Sequence, residues 1–224
     1  MTAEARPGPP QSKADYVYAS LLDDLRNARI SGGTPLRATE IARRLGVSIT
    51  PVREALRRLE NDRLIRYEQN HGATVIDLSA DALVEYYNVR AVVEGLGARL
   101  AAARASAEDL ERLRVIHERM VADEAAGRYD ALGDQSREFH LAITDIGGPA
   151  FLGAHARAVR NSFPVPAHAS LWLDPDQARN HLTVHEQLLK ALRAGDGTTA
   201  ERIMVEHVRF SGQYRHDRLS RASE

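Results

Sequence analysis

Leu45-Gly46-Val47-Ser48-Ile49-Thr50-Pro51-Val52-Arg53-Glu54-Ala55-Leu56-Arg57-Arg58-Leu59 is the stretch on which the fold of this chain turns. Val52, Ala55, Leu56 and Leu59 recur at helical spacing. Thr50 offers a hydroxyl cap ahead of Pro51, a proline at the first helical position, where its missing N–H costs nothing. Upstream, Ile41, Ala42 and Leu45 make the apolar face of a helix that starts at Thr39, and Gly46 ends it because glycine takes positive φ without steric cost. Two short helices joined by a tight glycine turn result.

Working outward, Tyr18, Leu21, Leu22 and Leu25 predict an amphipathic helix that ends near Ser31-Gly32-Gly33. Downstream, Leu64–Tyr67 and Ala73–Ile76 are β-prone runs separated by Gln69-Asn70-His71-Gly72, which reads as a hairpin. Helix, helix, turn, helix and hairpin together match a winged helix-turn-helix, whose second motif helix enters the major groove of duplex DNA. Arg53 then sits in the first turn of the reading helix, where an arginine can donate two bonds to guanine, with Arg57 and Arg58 also on faces away from the apolar stripe. Thr39, Ser48, Thr50 and Pro51 complete the DNA-binding set at the helix starts, and His71 and Gly72 form a wing tip able to approach the minor groove. For any one arginine the competing reading is a merely solvated face.

From Leu78 onward the pattern is nearly continuous helix, with segments expected near 80–103, 106–126, 129–147, 149–162, 175–194 and 198–219. Ser79 and Ser106 are N-cap candidates, the latter reinforced by Asp109. Breaks are supplied by Gly147-Gly148-Pro149, the Pro164/Pro166 pair and Gly195-Asp196-Gly197. The expected fold class is mainly α, a winged helix-turn-helix followed by an all-helical bundle of about six helices. The domain reading is a disordered tail over 1–12, a DNA-binding domain over 13–77 and an effector-binding and dimerisation domain over 78–224.

Composition narrows the chemistry. The absence of cysteine removes disulfides, thiolate metal sites and cysteine nucleophiles. No apolar run approaches the roughly 18 residues that cross a bilayer, and the Pro/Gly-rich start lacks a signal-peptide pattern, so a soluble, cytoplasmic protein with no membrane partner is expected. The net charge of -1 hides an asymmetry, for residues 1–76 carry 12 Lys+Arg against 9 Asp+Glu and the remainder carries 18 against 22. Eight of those arginines and only four acids lie between Arg37 and Arg66, consistent with a local basic surface.

Eight of the nine histidines follow residue 77. Three of them, on three different predicted helices, would suit Zn²⁺, Ni²⁺ or a similar ion if the bundle brings them together, since neutral imidazole is the commonest metal ligand. Core packing or a surface hydrogen bond is the alternative for each. His181 and His185, one helical turn apart, form a rival clip. His185-Glu186-Gln187-Leu188-Leu189 begins like a metalloprotease motif but lacks the second histidine. Arg90 stands among Val89, Ala91, Val92 and Val93, where a guanidinium needs a partner if buried. Either a bound carboxylate or Glu94, one turn on, would serve.

The 45–59 string, with Asn70-His71-Gly72-Ala73-Thr74-Val75, resembles the head of the GntR family of bacterial transcription regulators. The back half, through Val89–Glu94, Glu138-Phe139-His140 and the helices bearing His185 and His207, resembles the FCD ligand-binding domain of its FadR subfamily, VanR-like group. The likeness covers nearly the whole chain after Ser12. It implies a homodimeric regulator, a repressor by preference, bound to a near-palindromic double-stranded operator and controlled by a small organic acid. It further implies a divalent metal, Zn or Ni, on His140, His185 and His207, and an effector carboxylate on Arg90.

Two positions depart from the family. Its base-contacting arginine is replaced by Ile49, which implies a different operator sequence and allows an apolar contact with a thymine methyl. Its metal-binding aspartate, four before the first histidine, is replaced by Ser136, and Asp134, six before His140, lies roughly 120° from that histidine around a helix. A metal-dependent hydrolase fused to a DNA-binding head, and an architectural DNA-binding protein without a ligand, are the alternatives from other classes.

Overall fold

The computed structural model describes residues 12–26, 29–30, 32–68, 72–76, 80–162 and 169–222, and the chain divides into two compact units, residues 1–77 and 78–224. The tail reading over 1–12, except Ser12, and the breaks and cap assigned to Ser31, Ser79 and Pro164/Pro166 lie outside the described residues.

In the first unit, α1 (Lys13–Arg26) buries Val17, Leu21 and Leu25, while Tyr18 and Leu22 pack partly against the same core. Tyr18 sits beside that stripe because its hydroxyl reaches Asp62 Oδ2 at 2.5 Å. Helix α2 (Ala38–Leu45) ends at Gly46, whose φ of 66° lies in the left-handed region, as its place after Leu45 requires. Helix α3 (Ile49–Asn61) buries Val52, Ala55, Leu56 and Leu59.

Its start differs from expectation: Ser48 holds the N-cap position without a side-chain cap bond, and Pro51 is the third helical residue. Proline is tolerated there because none of the first four N–H groups has an acceptor within the helix. Strands β2 (Ile65–Glu68) and β3 (Gly72–Val75) form the antiparallel hairpin, each one residue off the predicted run. A further strand, β1 (Pro35–Leu36), pairs with β3 to give the order β1-β3-β2. Two residues are too few to show alternation, and Pro35 is admissible because β1 is an edge strand.

Among the described residues of the second unit the α elements are α4 (Ala80–Arg104), α5 (Ala107–Ala125), α6 (Leu132–Gly147), α7 (Leu152–Asn161), α8 (Pro175–Arg193) and α9 (Gly197–Ala222), and none of those residues lies in a strand. Single 3₁₀ turns at Tyr129–Ala131 and Leu171–Leu173 precede α6 and α8, so the helix expected from residue 129 becomes α only at Leu132. Ser106 and Asp109 form the capping box, and Asp174 caps α8 with Pro175 following.

Helix α4 is central. Its Ala91, Ala98 and Ala101 are fully buried, and Gly97 approaches α6 so closely that a Cβ there would lie 2.7 Å from Thr144 Cγ2. Small residues along α4 let α6 and α9 approach its backbone, which brings side chains from several helices to one interior point. None of the helices among the described residues is long and apolar enough to cross a membrane.

Candidate functional site

That interior point holds His140 of α6, His185 of α8 and His207 of α9, at 2%, 0% and 6% exposure. His185 Nε2 lies 3.2 Å from His140 Nε2 and 3.2 Å from His207 Nε2. One potential ligand atom from each of the three falls within 4.8 Å of the others.

Burial dominates their titration. It brings His140 down to about 4, with Arg160 adding to the effect, and holds His185 and His207 well below the usual histidine range. All three are therefore neutral near pH 7, the form that carries a ligating lone pair. His140 Nδ1 lies 2.7 Å from Glu94 Oε2, and an ionised carboxylate only accepts. The His140 proton thus sits on Nδ1 and its Nε2 lone pair faces the other rings, the arrangement in which a carboxylate orients a metal-ligating histidine. His185 Nδ1 is buried without a hydrogen-bond partner, and a proton on its Nε2 could serve only one of its two neighbours. Three converging imidazole nitrogens that cannot satisfy one another fit a divalent cation.

The rival pair is not assembled in this way. His181 Nδ1 donates to the Gln177 carbonyl at 3.0 Å and its Nε2 meets Ser211 Oγ at 3.1 Å, so both ring nitrogens are occupied. Ser136 is buried beside His140, whereas Asp134 is exposed, so no carboxylate occupies the aspartate position of the resembling family.

Arg90 meets the partner that Glu94 offered: its Nε donates to Glu94 Oε1 at 2.8 Å, and the guanidinium lies 4.8 Å from the Tyr87 ring centroid. Sequence reasoning missed a second cation on the same carboxylate. Arg160 of α7 donates from Nε to Oε1 at 3.0 Å and from Nη2 to Oε2 at 2.7 Å. The available signal was its place on the stripe Gly153, Ala156, Arg160, the buried face of α7. Glu94 had the same signal, lying on α4 between the buried Ala91 and Ala98. Burial alone would raise the Glu94 carboxyl, but Arg160 and Arg90 outweigh it and hold it well below the carboxylate range.

Two guanidiniums therefore share one carboxylate, with neutral imidazoles around them. Arg90, Arg160, His140, His207 and Ser136 all border a cavity of about 80 Å³, which consequently has a positive lining.

In the first unit, Thr39, Ser48, Ile49, Thr50, Arg53 and Arg57 are exposed on α2 and the outer face of α3, and Pro51 is half-buried. Among the described residues the side chains of Arg53 and Arg57 make no hydrogen bond or ion pair with protein. Arg58 instead turns inward to Asp15 at 2.5 Å and stacks over Tyr18. Gly72 is exposed at φ 81°, and His71 lies outside the described residues.

Comparison with known proteins agrees with both units. Residues 13–75 match the bacterial regulatory proteins, gntR family, and residues 85–210 match the FCD domain. The chain is 31% identical over 196 residues to a "Probable D-xylose utilization operon transcriptional repressor" of Paenarthrobacter nicotinovorans, covering 87% of this chain and 85% of that protein. It is 26% identical over 210 residues to the transcriptional repressor RspR of Escherichia coli, covering 93% and 91% respectively. The fold is shared with Escherichia coli McbR/YncC at a TM-score of 0.77 and 24% identity, over 94% of this chain and all of that one.

Proposed function

Because this chain belongs to the gntR family of bacterial regulatory proteins, in its FCD-bearing FadR subfamily, we propose that it is a homodimeric repressor released or retained on its operator by a small organic acid. It is a transcription regulator that binds DNA through its helix-turn-helix head, and members of the family are regulators, not enzymes, which displaces the hydrolase alternative. In this reading residues 13–77 read DNA, residues 78–224 sense the effector and dimerise, and the group is VanR-like. The cytoplasm, where bacterial DNA resides, is its place of action.

The observation that carries the effector assignment is the excess positive charge of the cavity. Two buried guanidiniums share one carboxylate beside the histidine cluster, and an anion offsets what the protein leaves uncompensated. Arg90 spends only its Nε on Glu94, which leaves its other nitrogens to meet an effector carboxylate, so the internal salt bridge and the effector role coexist. His140, His185 and His207 would hold the metal, Zn²⁺ or Ni²⁺, with Ser136 leaving a coordination position for an oxygen of the effector or water. When bound, the ion supplies a Lewis-acidic point for a carboxylate oxygen. An effector preference of ~1–3 kcal/mol for one arrangement of the dimer suffices to change operator occupancy.

Thermal melting against a panel of organic acids, with and without chelator and paired with elemental analysis, tests this reading. We expect an acid to raise the melting temperature, the rise to need the metal, and Arg90→Ala to abolish it while sparing DNA binding. No acid-dependent shift in a well-folded, metal-bearing sample would overturn it and return the architectural alternative.

On the DNA side, the contact residues are Thr39, Ser48, Thr50, Pro51, Arg53, Arg57, His71 and Gly72. Arg53→Ala is expected to cost about 1–3 kcal/mol of operator binding with an unchanged melting temperature. A fluorescence-anisotropy titration checks it, and an unaltered curve removes Arg53 from the reading face.

A further inference from the structure

We infer that Arg215 of α9 is a second anion-binding point in the effector cavity, so that the effector carries two anionic groups, as a compact dicarboxylate does. The inference rests on the proposal above that an acid binds at Arg90.

His207, Ser211 and Arg215 stand one turn apart along one face of α9, and all three line the cavity that Arg90 and Arg160 also line. Arg215 differs from those two in its partners. Among the described residues it has no carboxylate within salt-bridge distance, and its single hydrogen bond is a long one, from Nη1 to the Ala169 carbonyl at 3.5 Å. Its Nε is buried with no acceptor.

Arginines elsewhere in this unit show that the chain readily supplies acids to its guanidiniums. Arg90 and Arg160 share Glu94, and Arg128 has Asp123. A buried guanidinium donor without an acceptor carries its full desolvation cost, which an anionic ligand relieves. Arg215 and Arg90 flank the same ring, with guanidinium carbons 6.0 and 4.8 Å from the Tyr87 centroid, and among the described residues no protein carboxylate lines the cavity that both border. A ligand with one anionic end meets only one of these cations. A ligand with two meets both and also removes their mutual repulsion. The volume of about 80 Å³ holds little more than a few waters' worth of matter, which limits the acid to a short chain.

Trp172 is the only tryptophan of the chain and lines this cavity, so its fluorescence reports occupancy directly. The test is a titration of the full-length, zinc-loaded protein with malonate and with propionate, an acid of equal carbon number and one carboxylate, followed by Trp172 emission and by calorimetry. Malonate should bind at least about tenfold more tightly than propionate. Arg215→Gln should erase that preference while leaving propionate unchanged, and Arg215→Lys, which keeps the charge, should retain part of it.

Equal affinities in the parent protein, or an equal loss for both acids in folded Arg215→Gln, would overturn the second anion point. The two readings fail separately. Propionate binding that depends on Arg90 without any gain for malonate refutes Arg215 alone, whereas binding of neither acid, or binding indifferent to Arg90→Gln, refutes the effector reading beneath it.

Discussion

Glu94→Ala is expected to lower the unfolding free energy by about 3–5 kcal/mol, the usual cost of removing one member of a buried ionic group and leaving its partners unpaired. Glu94 is 1% exposed and accepts from Arg90 and Arg160 while fixing the His140 proton. Its removal strands two buried guanidiniums and creates a cavity as well. Urea unfolding checks the value, and a loss below about 1 kcal/mol would mean that the guanidiniums reach water when Glu94 is gone. Replacing Glu94, Arg90 and Arg160 together by apolar residues of similar volume should recover much of the loss, because no charge is then left buried.

The effect depends on pH with a definite sign. Folding depresses the Glu94 carboxyl below its ordinary 4.5, so the unfolded chain binds the proton more readily in that range. Its contribution is fully present above pH 4.5 and declines as pH falls below that value towards the folded one, so the gap between parent and Glu94→Ala should narrow in acid.

His185→Ala is expected to reduce bound metal from about one ion per chain to almost none, since a site of three imidazoles loses the member that touches both others. Elemental analysis after dialysis measures it. The neighbouring histidines serve as controls. His117 packs with its ring centroid 6.3 Å from that of His185 but lies outside the cluster, and both nitrogens of His181 are already engaged. Metal should survive His117→Ala and His181→Ala. Loss in both His185→Ala and His181→Ala, with metal retained in His140→Ala and His207→Ala, would move the site to the one-helix pair, and retention in His185→Ala would exclude both sites. If the metal stabilises the fold by mass action, chelator should lower the melting temperature of the parent and leave His185→Ala unmoved.

Much of this was legible in residue order. The apolar spacing of Val52, Ala55, Leu56 and Leu59, the glycine after Leu45 and the Ser106/Asp109 box are local devices, and each is found in the structure as read. Helix boundaries in the second unit fall within a few residues of expectation for the same reason. The strand at Pro35–Leu36 was illegible because two residues carry no period, and the first helical position of α3 shifted because several positions of a first turn tolerate proline equally.

The histidine cluster was legible only in part. Resemblance indicated which three residues to group, while spacing alone left His181 as a rival. What separated them was the Gln177 carbonyl and the Ser211 hydroxyl that occupy the His181 ring.

Order along the chain determines which faces are apolar, where helices begin and end, and that a small cationic module precedes a helical one, because these properties depend on neighbours within a few residues. Only the packing of α4, α6, α7, α8 and α9 decided that Arg160 joins Arg90 on Glu94, that Glu94 sets the His140 tautomer, and that Arg215 reaches the same cavity without an acid of its own. The balance of buried charge is a property of the enclosed volume, and the residues that enclose it come from helices more than a hundred positions apart.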